Sequence, residues 1–169
     1  MRKSLTAGFA LALSLVAASA FAQLKIAVVE PDRIMDESKE GKRIQAQLKS
    51  YHDQKQNEIT AKEAEIKVLE EKLKDPKYAE DKKEEWRAAF NQKVYEYQAF
   101  AKAAQEEMEN KQNKALSELQ NKVNAVVTKY AAAKGFSLVF VKRLVVYNAE
   151  ALDITTEIVA EMDKAYPGP

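Results

Sequence analysis

Between Lys42 and Lys134 the chain runs 93 residues without a glycine and with one proline, Pro76. A stretch that long without breakers predicts two very long helices joined by a single turn. Asp75 precedes the proline and is biased out of helical conformation, so the turn belongs near residues 75–80. At about 1.5 Å of rise per residue, arms of roughly 35 and 55 residues project about 50 to 80 Å, further than a small domain is wide. The arms run antiparallel, and their bases return to one place. Such a shape serves reaching or gripping.

The apolar pattern along the arms is thin. On the first it falls at Ile44, Leu48, Tyr51, Ile59, Ile66, Leu69 and Leu73, with Lys55 and Lys62 at seam positions. Beyond the tip, Trp86, Phe90, Tyr97, Ala101, Ala104, Met108, Ala115, Leu119, Val126 and Tyr130 follow at steps of three, four or seven, the spacing of a coiled coil.

Both ends of the chain have strand character. Leu24 to Glu30 is short, apolar and β-branched and reads as a buried strand. Pro31-Asp32 breaks it, Ile34 and Met35 suggest a helical turn, and Ser38 N-caps the first arm with Gly41 three residues on. Gly135 closes the second arm, Phe136–Val141 and Leu144–Tyr147 read as strands around Lys142-Arg143, and Asp153 caps a last helix carrying Ile154, Ile158, Val159 and Met162. These pieces form one small body of about 45 residues, a marginal core for an independent unit. Oligomerisation through the strands would cover its exposed edges.

Residues 1–22 read as a cleaved secretory signal: Arg2 and Lys3, an apolar run from Leu5 to Ala18, then Ala20-Phe21-Ala22 before the cut. The apolar run falls short of the ~20 residues of a membrane span. No cysteine follows, which excludes a lipid-anchored lipoprotein and any disulfide. The expected domains are therefore 1–22 signal peptide, 23–36 plus 135–169 β-rich body, and 37–134 helical hairpin. Cleavage removes two cations, leaving 25 Lys and Arg against 26 Asp and Glu, so no global field favours nucleic acid. The expected address is the periplasm.

An enzyme has little to stand on. His52 is the lone histidine, there is no cysteine, and carboxylate pairs such as Glu70-Glu71 sit on solvated helices. The phosphate-cradling pattern fails as well: Gly41-Lys42 is followed by Arg43, and position 36 is Asp36. No cofactor is implied.

At Lys25–Arg43 (KIAVVEPDRIMDESKEGKR), in the glycine-free charged middle, and at VVYNAEALDITTEIVAEM near the end, the sequence resembles the Skp/OmpH family of periplasmic chaperones. The resemblance spans the chain after residue 22. It implies an α+β fold: a homotrimer with a small β-barrel body completed by oligomerisation and one long antiparallel helical tentacle per subunit. It implies an ATP-independent holdase for unfolded outer-membrane β-barrel proteins, and Ile26, Val28, Leu138, Phe140, Val145 and Tyr147 lining a shared trimer core.

A holdase needs dispersed apolar surface. Tyr78, Trp86, Phe90, Tyr95, Tyr97 and Phe100 place six aromatics within 23 residues toward the tip and are the candidate client contacts. Trp86, Phe90 and Tyr97 share the face that would pack on the first arm, whereas Tyr95, Phe100 and Tyr78 are harder to bury. Lys72, Lys74, Lys77, Lys82 and Lys83, set against Asp75, Glu80 and Asp81, make a basic tip suited to lipopolysaccharide or anionic lipid. The rival reading is a coiled-coil tether of the cell envelope. A tether wants continuous seams, and Lys55, Lys62, Asn91 and Gln112 interrupt or flank this one.

Overall fold

A computed structural model describes residues 24–168, so the signal-peptide expectation for residues 1–22 lies outside the described residues. The elements run β1 (Ile26–Val29), α1 (Pro31–Glu37), α2 (Lys39–Lys74), α3 (Glu80–Lys134), β2 (Leu138–Val141) and α4 (Thr155–Ala165), with 3-10 turns at Lys142–Leu144 and Glu150–Leu152. The two arms are α2 and α3, of 36 and 55 residues, and the break falls at 75–79 around Pro76. Asp75 ends α2 in extended conformation, as the following proline requires.

Each arm end is closed by identifiable chemistry. Gly41 N–H donates to Ser38 Oγ at 3.1 Å, the expected N-cap. A second acceptor comes from across the fold: Lys39 N–H donates to Asp163 Oδ1 of α4 at 2.7 Å. Gly135 ends α3 with φ +71°, a left-handed conformation that glycine adopts without a Cβ penalty. Lys25 Nζ then donates to the orphaned Lys134 carbonyl at 2.9 Å, a cation at the negative end of the helix.

The sheet is smaller than the sequence suggests. β1 and β2 pair in parallel, Ile26 opposite Leu138 through Val29 opposite Val141, and an isolated bridge joins Val28 to Asp153. The expected third strand, Leu144–Tyr147, does not form in the chain. Lys142 Nζ donates to Glu30 Oε2 at 2.9 Å and to Asp153 Oδ2 at 3.0 Å, which draws the chain into a 3-10 turn over Lys142–Leu144. Val145 to Tyr147, beyond that turn, pair with neither strand of the sheet, and Val146 and Tyr147 stand 107% and 83% exposed.

The hydrophobic core sits where the chain ends meet the arm bases. Ile34, Ile158 and Met162 are fully buried, surrounded by Ala27, Val29, Ile44, Leu119, Val123 and Val126. Burying each of the three is worth about 1.5–3 kcal/mol. The core thus takes in the first turns of α2 and the last turns of α3. Gly41 allows α1 and α2 to meet: a Cβ there would lie 2.0 Å from the Met35 carbonyl oxygen.

At the start of α4, Asp153 accepts from Thr155 N–H at 2.9 Å and from the Thr155 hydroxyl at 2.5 Å. It caps the helix from one residue further out than a simple N-cap, since Ile154 intervenes. Burial pushes the Asp153 carboxyl up, but the Thr155 and Lys142 hydrogen bonds outweigh it and hold it below the ordinary aspartate value.

Candidate functional site

Outside the base the arms bury almost nothing. Between residues 45 and 118, among the described residues, only Ala104 is buried; the other seam side chains are half-exposed. Two helices laid side by side shield one stripe each, and the stripe here is interrupted.

Polar contacts hold the arms in register. Tyr51 donates its hydroxyl to Glu107, and Lys55 pairs with the same carboxylate at 3.2 Å. Further out, Tyr97 donates to Glu63 Oε1 at 2.8 Å and Lys93 pairs with Glu65 at 2.6 Å. The Tyr51 and Lys55 hydrogen bonds hold the Glu107 carboxyl below its ordinary range, and the Lys93 hydrogen bond does so for Glu65. Lys55 and Lys62, which look like seam defects in the sequence, each place an ammonium 5.1 Å from the centroid of the Phe100 ring. A cation over an aromatic face is attractive, so these lysines contribute contacts between the arms at Phe100.

The six aromatics proposed as client contacts divide. Tyr95 is 70% exposed. Tyr78 and Trp86 meet edge to face with centroids 4.7 Å apart, closing the turn around Pro76. Trp86, Phe90, Tyr97, Phe100 and Tyr78 are all half-buried, so each offers part of its ring to solvent. Phe100 and Tyr78 are also partly covered: two lysines lie over one, and Trp86 and the Lys77 ammonium adjoin the other.

Most of the basic tip is compensated. Lys74 pairs with Glu70 at 2.5 Å, Lys77 with Asp75 at 2.8 Å and Lys82 with Glu85 at 3.7 Å, while Lys72 lies 5.5 Å from the Trp86 ring centroid. Exposed pairs of this kind are labile, so the charges remain available to a stronger partner. Among the described residues no group of three or more His, Cys, Asp or Glu is placed to hold a metal ion.

At the base, Ile26, Val28, Leu138 and Phe140 share one face of the two-stranded sheet, opposite Ala27 and Val29. Val28 is already buried within the single chain, whereas Leu138 and Phe140 are 45% and 43% exposed. Val145 is half-buried and Tyr147 exposed. Leu144 and Val146, which fall in the expected strand but outside the expected trimer-core set, are also exposed apolar residues.

Sequence reasoning also missed the polar lock joining the arm bases. Glu40 is 4% exposed; Arg43 Nε and Nη2 each donate to its carboxylate at 2.7 Å, and Lys122 of α3 donates as well. These donors, Arg43 foremost, draw the Glu40 carboxyl from 4.5 to about 2. No local signal in the sequence distinguishes Glu40 from the many solvated glutamates around it.

Residues 25–162 match the family described as outer membrane protein (OmpH-like). Among solved structures, an OmpH-like outer membrane chaperone from Caulobacter crescentus is similar, with 25% sequence identity, a TM-score of 0.76, and coverage of 85% of this chain and 86% of that one. No curated protein matches the chain in sequence.

Proposed function

The chain belongs to the OmpH-like outer membrane protein family, and from that premise we propose that it is an ATP-independent holdase chaperone of the periplasm. It binds unfolded outer-membrane β-barrel proteins between its helical arms and prevents their aggregation before insertion. The family supports the chaperone role and a non-enzymatic protein. The observation that carries the reading is the arms' unfinished surface: two helices of 36 and 55 residues whose outer length buries one alanine and leaves an aromatic-rich seam half open. Contacts of that kind are individually weak and many, which suits retention of a chain without a fixed shape.

The body is completed by two further copies. Leu138 and Phe140 share their sheet face with Ile26 and Val28, and together with the exposed Leu144, Val146 and Tyr147 and the half-buried Val145 they offer apolar surface that a trimer would bury. Among the described residues the outer edge of β2 has no strand partner, and a neighbour's strand would supply one. Tyr78, Trp86, Phe90, Tyr95, Tyr97 and Phe100 contribute client contacts. The tip lysines Lys72, Lys74, Lys77, Lys82 and Lys83 exchange their weak surface pairs for lipopolysaccharide or anionic lipid.

The test dilutes a urea-denatured outer-membrane β-barrel protein into residues 23–169 and weighs the soluble species by native mass spectrometry. Three copies with one client are expected, and none with a folded soluble protein. Precipitated client beside free protein rejects the holdase.

A further inference from the structure

Midway along the arms the seam opens. Ala101 and Ala104 of α3 face Gln56 and Ile59 of α2 across a cleft of ≈450 Å³, which Met108 also lines. That size falls within the roughly 300–1,000 Å³ usual for ligand sites. Ile59, Ala101, Ala104 and Met108 make its surface apolar, and Gln56, Gln105 and Gln112 supply three side-chain amides. Among the described residues none of these three amides hydrogen-bonds to another protein group. Gln54, Gln92 and Gln120 are each spent on a residue four further along their own helix, whereas Gln47 and Gln98 are, like the three in the cleft, exposed and without such a bond among the described residues.

The charges around the cleft narrow its occupant. Lys55 is paired with Glu107, and His52 lies beside Asp53 at 3.6 Å. Of the charged residues lining the cleft, Glu109 alone has no ion-pair partner among the described residues, so the cleft disfavours acidic groups. An unfolded polypeptide carries backbone donors and acceptors with no partners of their own, and a glutamine amide offers both kinds of group.

We infer that this mid-arm cleft is a binding subsite for an extended, non-acidic client segment of alternating apolar and polar residues. Apolar side chains settle on Ile59 and Met108 over the two alanines, and the segment's backbone bonds to the glutamines. A membrane β-strand that has not yet folded has this alternation. The assignment rests on the chaperone reading above and places part of the grip between the arms, in addition to the aromatics nearer the tip.

The experiment installs a photo-crosslinking phenylalanine analogue at Gln112, or at Gln120 outside the cleft as control, in protein isolated from the cell envelope. A urea-denatured eight-stranded outer-membrane barrel protein is added and the adducts are mapped. Adducts at 112 in client membrane strands, well above those at 120, are expected. Gln105→Glu should cut them at least about fivefold, because a carboxylate loses hydration when a client covers it. Soluble client complex with no excess of adducts at 112, or adducts to acidic loops or to a second copy of the chain, overturns the subsite and leaves the chaperone reading standing. Aggregation of the client beside the unsubstituted protein removes both.

Discussion

Replacing Glu40 by glutamine tests whether the arm bases are locked by charge. The carboxylate is 4% exposed and accepts from Arg43 twice at 2.7 Å and from Lys122 across the helix pair. Its pKa falls from 4.5 to about 2. A group whose folded pKa is depressed contributes stability that is fully present above its unfolded value and lost as pH falls through the folded one. The window here is pH 4.5 down to about 2. At about 1.4 kcal/mol per pH unit, that interval corresponds to about 3 kcal/mol. Arg43 and Lys122 keep about a third of their side chains in water. They rehydrate when the carboxylate is gone, so about 2 kcal/mol is the expected loss at pH 7. Urea unfolding followed by circular dichroism, at one protein concentration because association would contribute, should show that gap at pH 7 and its narrowing from pH 4.5 toward 2. A gap below about 0.5 kcal/mol at neutral pH, or one that stays constant down to pH 2.5, would refute the reasoning.

Other perturbations separate packing from surface chemistry. Gly41→Ala drives a methyl to 2.0 Å from the Met35 carbonyl, so thermal melts should show a loss of about 3 kcal/mol or more; Gly135→Ala, with open space but φ +71°, should lose only about 1 kcal/mol. Ile158→Ala empties a fully buried position and should cost about 2–5 kcal/mol in the same melts. Tyr78→Ala removes the ring that meets Trp86 edge to face, so the emission of the sole tryptophan should shift to the red with the melting temperature little changed. An unshifted spectrum would show that Tyr78 does not shield it. Tyr97→Phe deletes an exposed hydrogen bond to Glu63 and should change stability by less than about 1 kcal/mol.

The long-range plan of this protein is legible because it follows from local rules. A glycine-free stretch broken only at Pro76 leaves no alternative to two long helices; Ser38 and Gly135 mark the helix ends for reasons internal to each turn. What tertiary structure decided is everything that depends on two distant segments meeting. Leu144–Tyr147 has the composition of a strand, yet a strand needs an edge to pair with, and Lys142 turns the chain away toward Glu30 and Asp153. Lys55 and Lys62 read as interruptions of a seam until Phe100, some forty residues on, is seen beneath them. Glu40 looks like any solvated glutamate, because its burial is set by Lys122 and the core around Ile44 and Leu119. The sequence alone determined which segments are helical and where they stop, since those are energies of neighbouring residues. Which charges are buried, which aromatics are covered and where a cleft opens were decided by the antiparallel register of the arms, which no local pattern encodes.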